Sequence, residues 1–118
     1  MVGEVSGSNV YYAGGGGGAG VSFGAAGGIG GGGDGDTAQG DAGIPNTGGG
    51  GGGSERNNPS SQFFYGGAGG SGVVVLRYAS NYTITVGSGI TEATGSPFTE
   101  GSDKVSVFTA GTGTITFS

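Results

Sequence analysis

Asn46-Thr-Gly-Gly-Gly-Gly-Gly-Gly53 ends in six consecutive glycines, and similar runs surround it: Gly14 to Gly18, Gly30 to Gly33, then Gly66, Gly67, Gly69, Gly70 and Gly72. Glycine loses more conformational freedom on folding than any other residue. Fixing each backbone unit costs about 1–2 kcal/mol, and no side chain is buried in return. Such runs are either a flexible linker or a lattice in which backbones approach too closely for any Cβ. Charge argues against the linker, since only 9% of residues are charged and disordered chains usually carry more. The lattice is therefore the expectation. A residue as bulky as valine at Gly50 or Gly51 should clash with a neighbouring segment.

Working outward, residues 1–72 hold 29 of the 35 glycines and 73–118 hold the other 6. The runs start near residues 14, 30, 48 and 66, a loose repeat of a glycine segment plus a loop. Two of the loops, Asp34–Thr47 and Ser54–Tyr65, carry the Asn, Asp, Pro and Ser of chain reversals. A glycine helix of the polyproline II kind has no internal hydrogen bonds. Its N–H and C=O groups need partners, and neighbouring rods supply them. Collagen does not fit, because there is no strict Gly-X-Y period and only three prolines occur.

After the last glycine run the pattern turns to strands. Val73-Val-Val-Leu-Arg-Tyr78 reads as a buried strand from its continuous β-branched run. Tyr82–Val86, Lys104–Thr109 and Thr114–Phe117 alternate apolar and polar, with Val105, Val107 or Phe108, Ile115 and Phe117 facing inward. Ala110-Gly-Thr-Gly113 reads as a hairpin turn between the last two. Asn9–Tyr12 is a further short strand, and no helical periodicity occurs. The fold class expected is all-β and irregular. It combines a polyglycine-II-like rod bundle in a glycine-rich lattice domain, 1–78, with a small antiparallel β unit, 79–118.

Three segments carry a family resemblance: Val10-Tyr-Tyr-Ala-Gly-Gly-Gly-Gly-Gly18, Asn46–Gly53, and above all Gly69-Gly-Ser-Gly-Val-Val-Val-Leu-Arg-Tyr78. Together they resemble the glycine-rich domain of bacteriophage tail-fibre and adhesin proteins, of the kind found in marine phages and cyanophages. The resemblance implies a non-enzymatic virion protein that contacts the host cell surface, either a surface glycan or an outer-membrane protein, alongside other virion proteins. The alternative is a purely structural subunit: a capsid or tail decoration protein, or a filament protomer. Met1–Tyr12 has neither a basic nor an apolar signal region, which fits folding in the host cytoplasm and residence in the virion.

Composition bounds the chemistry. With no Cys and no His, disulfides, thiolate catalysis and histidine acid–base catalysis are excluded. A net charge of −5 with three basic residues leaves no stripe to neutralise nucleic-acid phosphates. No apolar run is long enough for membrane insertion. Glycine runs contain Gly-x-Gly-x-x-Gly trivially, without the strand–helix context of a dinucleotide site. Asp34, Asp36 and Asp41 read as an acidic turn rather than a calcium loop. Glu92, Glu100 and Asp103 are ordinary carboxylates of a polar loop, and Arg77 pairs with a carboxylate or reaches solvent. No enzyme activity, cofactor or metal is expected.

The candidate contact surface is the loop Ser54–Tyr65. It gathers Arg56, Asn57, Asn58 and Gln62 with the aromatics Phe63, Phe64 and Tyr65, the amphipathic mixture that dominates recognition surfaces. Without disulfides, a β unit this small calls for assembly. Its C-terminal strand supplies an edge for pairing, so a homo-oligomer is expected.

Overall fold

The computed structural model describes residues 2–55 and 63–118. They form two compact units, Val2–Gly72 and Val73–Ser118. Among the described residues the fold is all-β, with no helix and several small antiparallel sheets.

The glycine-rich unit opens with a hairpin, β1 (Glu4–Ser6) against β2 (Asn9–Tyr11), in the register Glu4↔Tyr11 to Ser6↔Asn9. Gly7 (φ +62°) and Ser8 make its two-residue loop, and glycine at positive φ in the first loop position suits the right-handed twist of the strands. The Tyr12 hydroxyl then donates to the Val2 carbonyl at 2.7 Å, tying the chain that leaves the hairpin to the chain that enters it.

Six segments follow, at 13–20, 24–29, 31–36, 40–44, 48–55 and 65–71. Backbone hydrogen bonds tie them together at three-residue spacing. Gly14 and Gly17 donate to Gly30 and Gly33, while Gly50 and Gly53 donate to Gly14 and Gly17, all at 2.8–3.0 Å. In these pairs both numbers rise together, so the first, third and fifth segments run parallel. Ala25 donates to Gly18 and Gly28 to Gly15, Asp41 to Asp34 and Ile44 to Gly31, Gly67 to Gly52 and Gly70 to Gly49. Here one number rises as the other falls, so the second, fourth and sixth segments run the opposite way. The second, third and fourth line up as one row, and the first, fifth and sixth form a second row beside it.

Packing in this unit is backbone on backbone. A Cβ on Gly51 would strike the Gly67 carbonyl, and one on Gly24, Gly33 or Gly70 the carbonyls of Gly35, Asp41 or Ile44. Gly14, Gly17, Gly33, Gly35, Gly43, Gly49 and Gly52 are buried, and among the described residues no large apolar side chain of the unit joins them. Among the described residues of the unit, the one fully enclosed side chain of size is Thr47, 2% exposed. Its hydroxyl donates to the Ile44 carbonyl at 2.6 Å and accepts the Gly49 N–H at 3.0 Å, which satisfies the turn between the fourth and fifth segments.

The second unit is built on β7 (Asp103–Gly111). β3 (Val74–Ala79) lies along one side of it, and β5 (Ile90–Glu92) and β6 (Phe98–Glu100) share the other. Val107 and Phe108 point to opposite faces and are 5% and 6% exposed, so the central strand is covered on both sides. With Ala93 they make the apolar core of the described residues. A second two-residue loop, Gly101 (φ +63°) and Ser102, joins β6 to β7. β4 (Ile84–Val86) pairs with β8 (Ile115–Phe117) as a separate two-stranded sheet. The Phe117 ring meets Tyr78 edge-on at 5.5 Å.

Two expectations are corrected. Val73–Tyr78 is not a buried strand: among the described residues β3 pairs only with β7, and Val74 and Val75 are 56% and 44% exposed. The β-branched run reflects strand propensity on a sheet edge rather than burial on both faces. Nor does Ala110–Gly113 close a hairpin. Gly111 (φ +108°) belongs to β7, its position abuts the Gly89 carbonyl, and Thr112 N–H donates to that carbonyl at 3.1 Å. These groups are spent on the start of β5, so β8 passes on to β4.

Candidate functional site

The alternation of segment directions decides where the loops go. Connections after the first, third and fifth segments all emerge at one end of the glycine unit. The first, around Val21 and Phe23, is closed by Gly20 N–H on the Phe23 carbonyl at 2.8 Å and by an Ala19↔Gly24 bridge. The second, Thr37–Gln39, is held by Asp36, whose Oδ1 accepts the Ala38 N–H at 2.7 Å. Asp34 holds the segment before it, Oδ1 accepting the Gly27 N–H at 2.7 Å. The third leaves at Ser54 and Glu55, bridged to Asp36, and returns at Tyr65, whose carbonyl accepts the Gly40 N–H at 3.3 Å.

This end carries the most exposed large apolar side chains of the described residues. Val21 and Phe63 are each 75% exposed, Tyr65 71% and Phe23 70%, and Phe64 is half-buried. The opposite end shows Ile29 and Ile44 at 49% and 46%, and there the hairpin is seated. Glu4 Oε2 accepts the N–H groups of Gly30 and Gly31, both at 2.7 Å. Those two glycines, at φ +105° and +91°, aim successive N–H groups at one point, an anion-binding arrangement of backbone filled here by the chain's own carboxylate.

Of the predicted loop, Phe63, Phe64 and Tyr65 stand at this end, while Arg56, Asn57, Asn58 and Gln62 lie outside the described residues. Val21 escaped the sequence reading. Its signal was the parity of the segments, which sends the loop after the first to the same end as the loop after the fifth.

Arg77, Asp103, Glu100 and Glu92 have structural partners. Arg77, Asp103 and Glu100 share one face of the large sheet. Arg77 Nε donates to Asp103 Oδ2 at 2.7 Å, and its Nη1 lies 3.5 Å from Glu100 Oε2. The hydrogen bond to Asp103, then the charges of Asp103 and Glu100, hold the guanidinium above its ordinary value. Glu92 instead accepts the Ser96 hydroxyl at 3.2 Å. Asp34 and Asp36 spend oxygens on local N–H groups, and among the described residues no three acidic side chains gather as a cation site.

No curated protein and no solved structure matches the chain. A family model described as a glycine-rich domain matches residues 2–79, spanning the hairpin, all six glycine segments and β3. The chain therefore belongs to the glycine-rich domain family.

Proposed function

We propose that the protein is a non-enzymatic component of a phage tail fibre or adhesin, and that the loop end of its glycine unit contacts the host surface. In this reading the six segments are polyglycine-II-like rods, supported by their three-residue hydrogen-bond spacing and alternating directions. A rod bundle suits the task because its rigidity comes from backbone contacts. Loop residues are then released from packing and can be chosen for recognition.

The observation that carries the reading is the exposure of Phe23, Phe63 and Tyr65, between 70% and 75%, on loops that share one end. Burial of these aromatics between chains in an assembly would favour the structural-subunit alternative. The partner is a host surface glycan or an outer-membrane protein, both of which aromatic side chains engage through ring faces and edges.

The test is a triple variant, Phe23→Ser, Phe63→Ser and Tyr65→Ser, labelled and applied to a panel of marine bacterial and cyanobacterial cells beside the wild type. The expected outcome is unchanged melting, because these rings are exposed, with cell binding lost; buried anchors of this type carry up to several kcal/mol at interfaces. Equal binding by an intact triple variant would reject the loop end as the contact surface.

A further inference from the structure

The second unit contains a cleft that the loop end does not involve. It measures about 250 Å³ and lies between β4 and one face of the large sheet, lined by Tyr78, Thr83, Ile84, Val86, Glu92, Pro97, Lys104 and Ser106. Ile84, Val86 and Pro97 make an apolar wall. Glu92 and Lys104 bring opposite charges to the same space, yet no ion pair joins them.

Both charged groups are held from outside the cleft. Val107 N–H donates to Ser96 Oγ at 3.0 Å, and Ser96 donates to Glu92 Oε1 at 3.2 Å. That fixes one carboxylate oxygen and leaves the other to accept. Lys104 Nζ donates to the Tyr82 carbonyl at 3.0 Å. An ammonium has three donors, so two remain. Behind them Tyr78 Oη and Ser106 Oγ share one hydrogen bond at 3.1 Å, which uses one of their two hydroxyl hydrogens and leaves the other to donate to a ligand carboxylate.

We infer that this cleft binds a small zwitterion of the α-amino-acid class, its ammonium on Glu92, its carboxylate on Lys104 and an apolar side chain against Ile84, Val86 and Pro97. The volume lies below the roughly 300–1,000 Å³ of sites for drug-sized ligands, which fits a molecule of about ten heavy atoms. A ligand that matches only one charge leaves the other without its partner, and hydrogen bonds to charged groups are the costly ones to lose. The inference is independent of host recognition, which rests on the other unit.

The test is a titration of the ¹⁵N-labelled full chain with L-leucine, followed by amide chemical shifts. Expected are saturable shifts at Thr83, Val86, Glu92 and Ser106, with a Kd of about 1–10 mM for so small a ligand. 4-Methylpentanoate and isopentylamine, each lacking one charge, should bind at least about tenfold more weakly. Glu92→Gln preserves side-chain shape and should reduce leucine to the affinity of 4-methylpentanoate. Wild-type protein unshifted at about 50 mM leucine, well above the expected Kd, would overturn the inference. So would shifts centred elsewhere, or D-glucose or either single-charge analogue binding as tightly as leucine.

Discussion

At Gly51 an added Cβ would run into the Gly67 carbonyl, whereas at Gly15 it would meet nothing within 4 Å. The two stand in different runs that look alike in sequence, so position in the lattice and not residue type sets the demand for glycine. Alanine also removes freedom from the unfolded chain, worth about 0.4–1 kcal/mol where the native backbone accepts it. Gly15→Ala should therefore leave the urea midpoint unchanged or raise it by that amount. Gly51→Ala should cost at least about 3 kcal/mol, the upper range for overpacking, because the obstructing atom is backbone and cannot rotate away. Equal midpoints for the two would mean that the segments do not pack as described. The sequence announces that close approach occurs within these runs, but not which glycines make it, because that depends on neighbours in other segments, from Asp41 for Gly33 to Gly51 for Gly16.

At the level of elements, the hairpin β1–β2 is fastened to the glycine unit by Glu4 on two successive N–H groups. Glu4→Gln keeps the length but removes the charge, and hydrogen bonds to charged groups contribute about 1.5–3 kcal/mol. The expected result is a fall of that size in unfolding free energy, with faster proteolysis near Ser6–Ser8; an unchanged urea midpoint and cleavage rate would show that the contact is incidental. How legible each strand was depended on its length and partners. β7 was readable because its alternation extends over Lys104–Thr109, and β2 because Asn9–Tyr11 lies between Gly7 and the glycine run that starts at Gly14. β5 and β6 have three residues each, too few to establish a period, and exist because β7 offers a free side. The partner of β8 was misread for a related reason: a glycine-rich turn promises a hairpin only when its own N–H and C=O groups are free, and Gly89 claims them. Phe63 and Tyr65 were recognisable as contact residues by type, whereas their shared end with Phe23 follows from segment parity, a property of the whole set of connections.

For the molecule as a whole, the two units are stabilised by different kinds of burial. One has a small apolar core of Ala93, Val107 and Phe108; the other buries peptide groups against peptide groups. That difference has a thermal consequence. Exposing apolar surface raises the heat capacity, by about 0.45 cal/mol/K per Å², and exposing polar surface lowers it by about 0.26. An ordinary chain of 118 residues would show a heat-capacity increment on unfolding of roughly 1.4–1.8 kcal/mol/K. Here the backbone-lined interior should hold it below about 1 kcal/mol/K, which scanning calorimetry over a series of melting temperatures would read directly. An increment in the ordinary range would mean that apolar burial dominates after all. A low increment flattens the stability curve, so a protein packed in this way keeps nearly the same margin of stability in cold water as in warm.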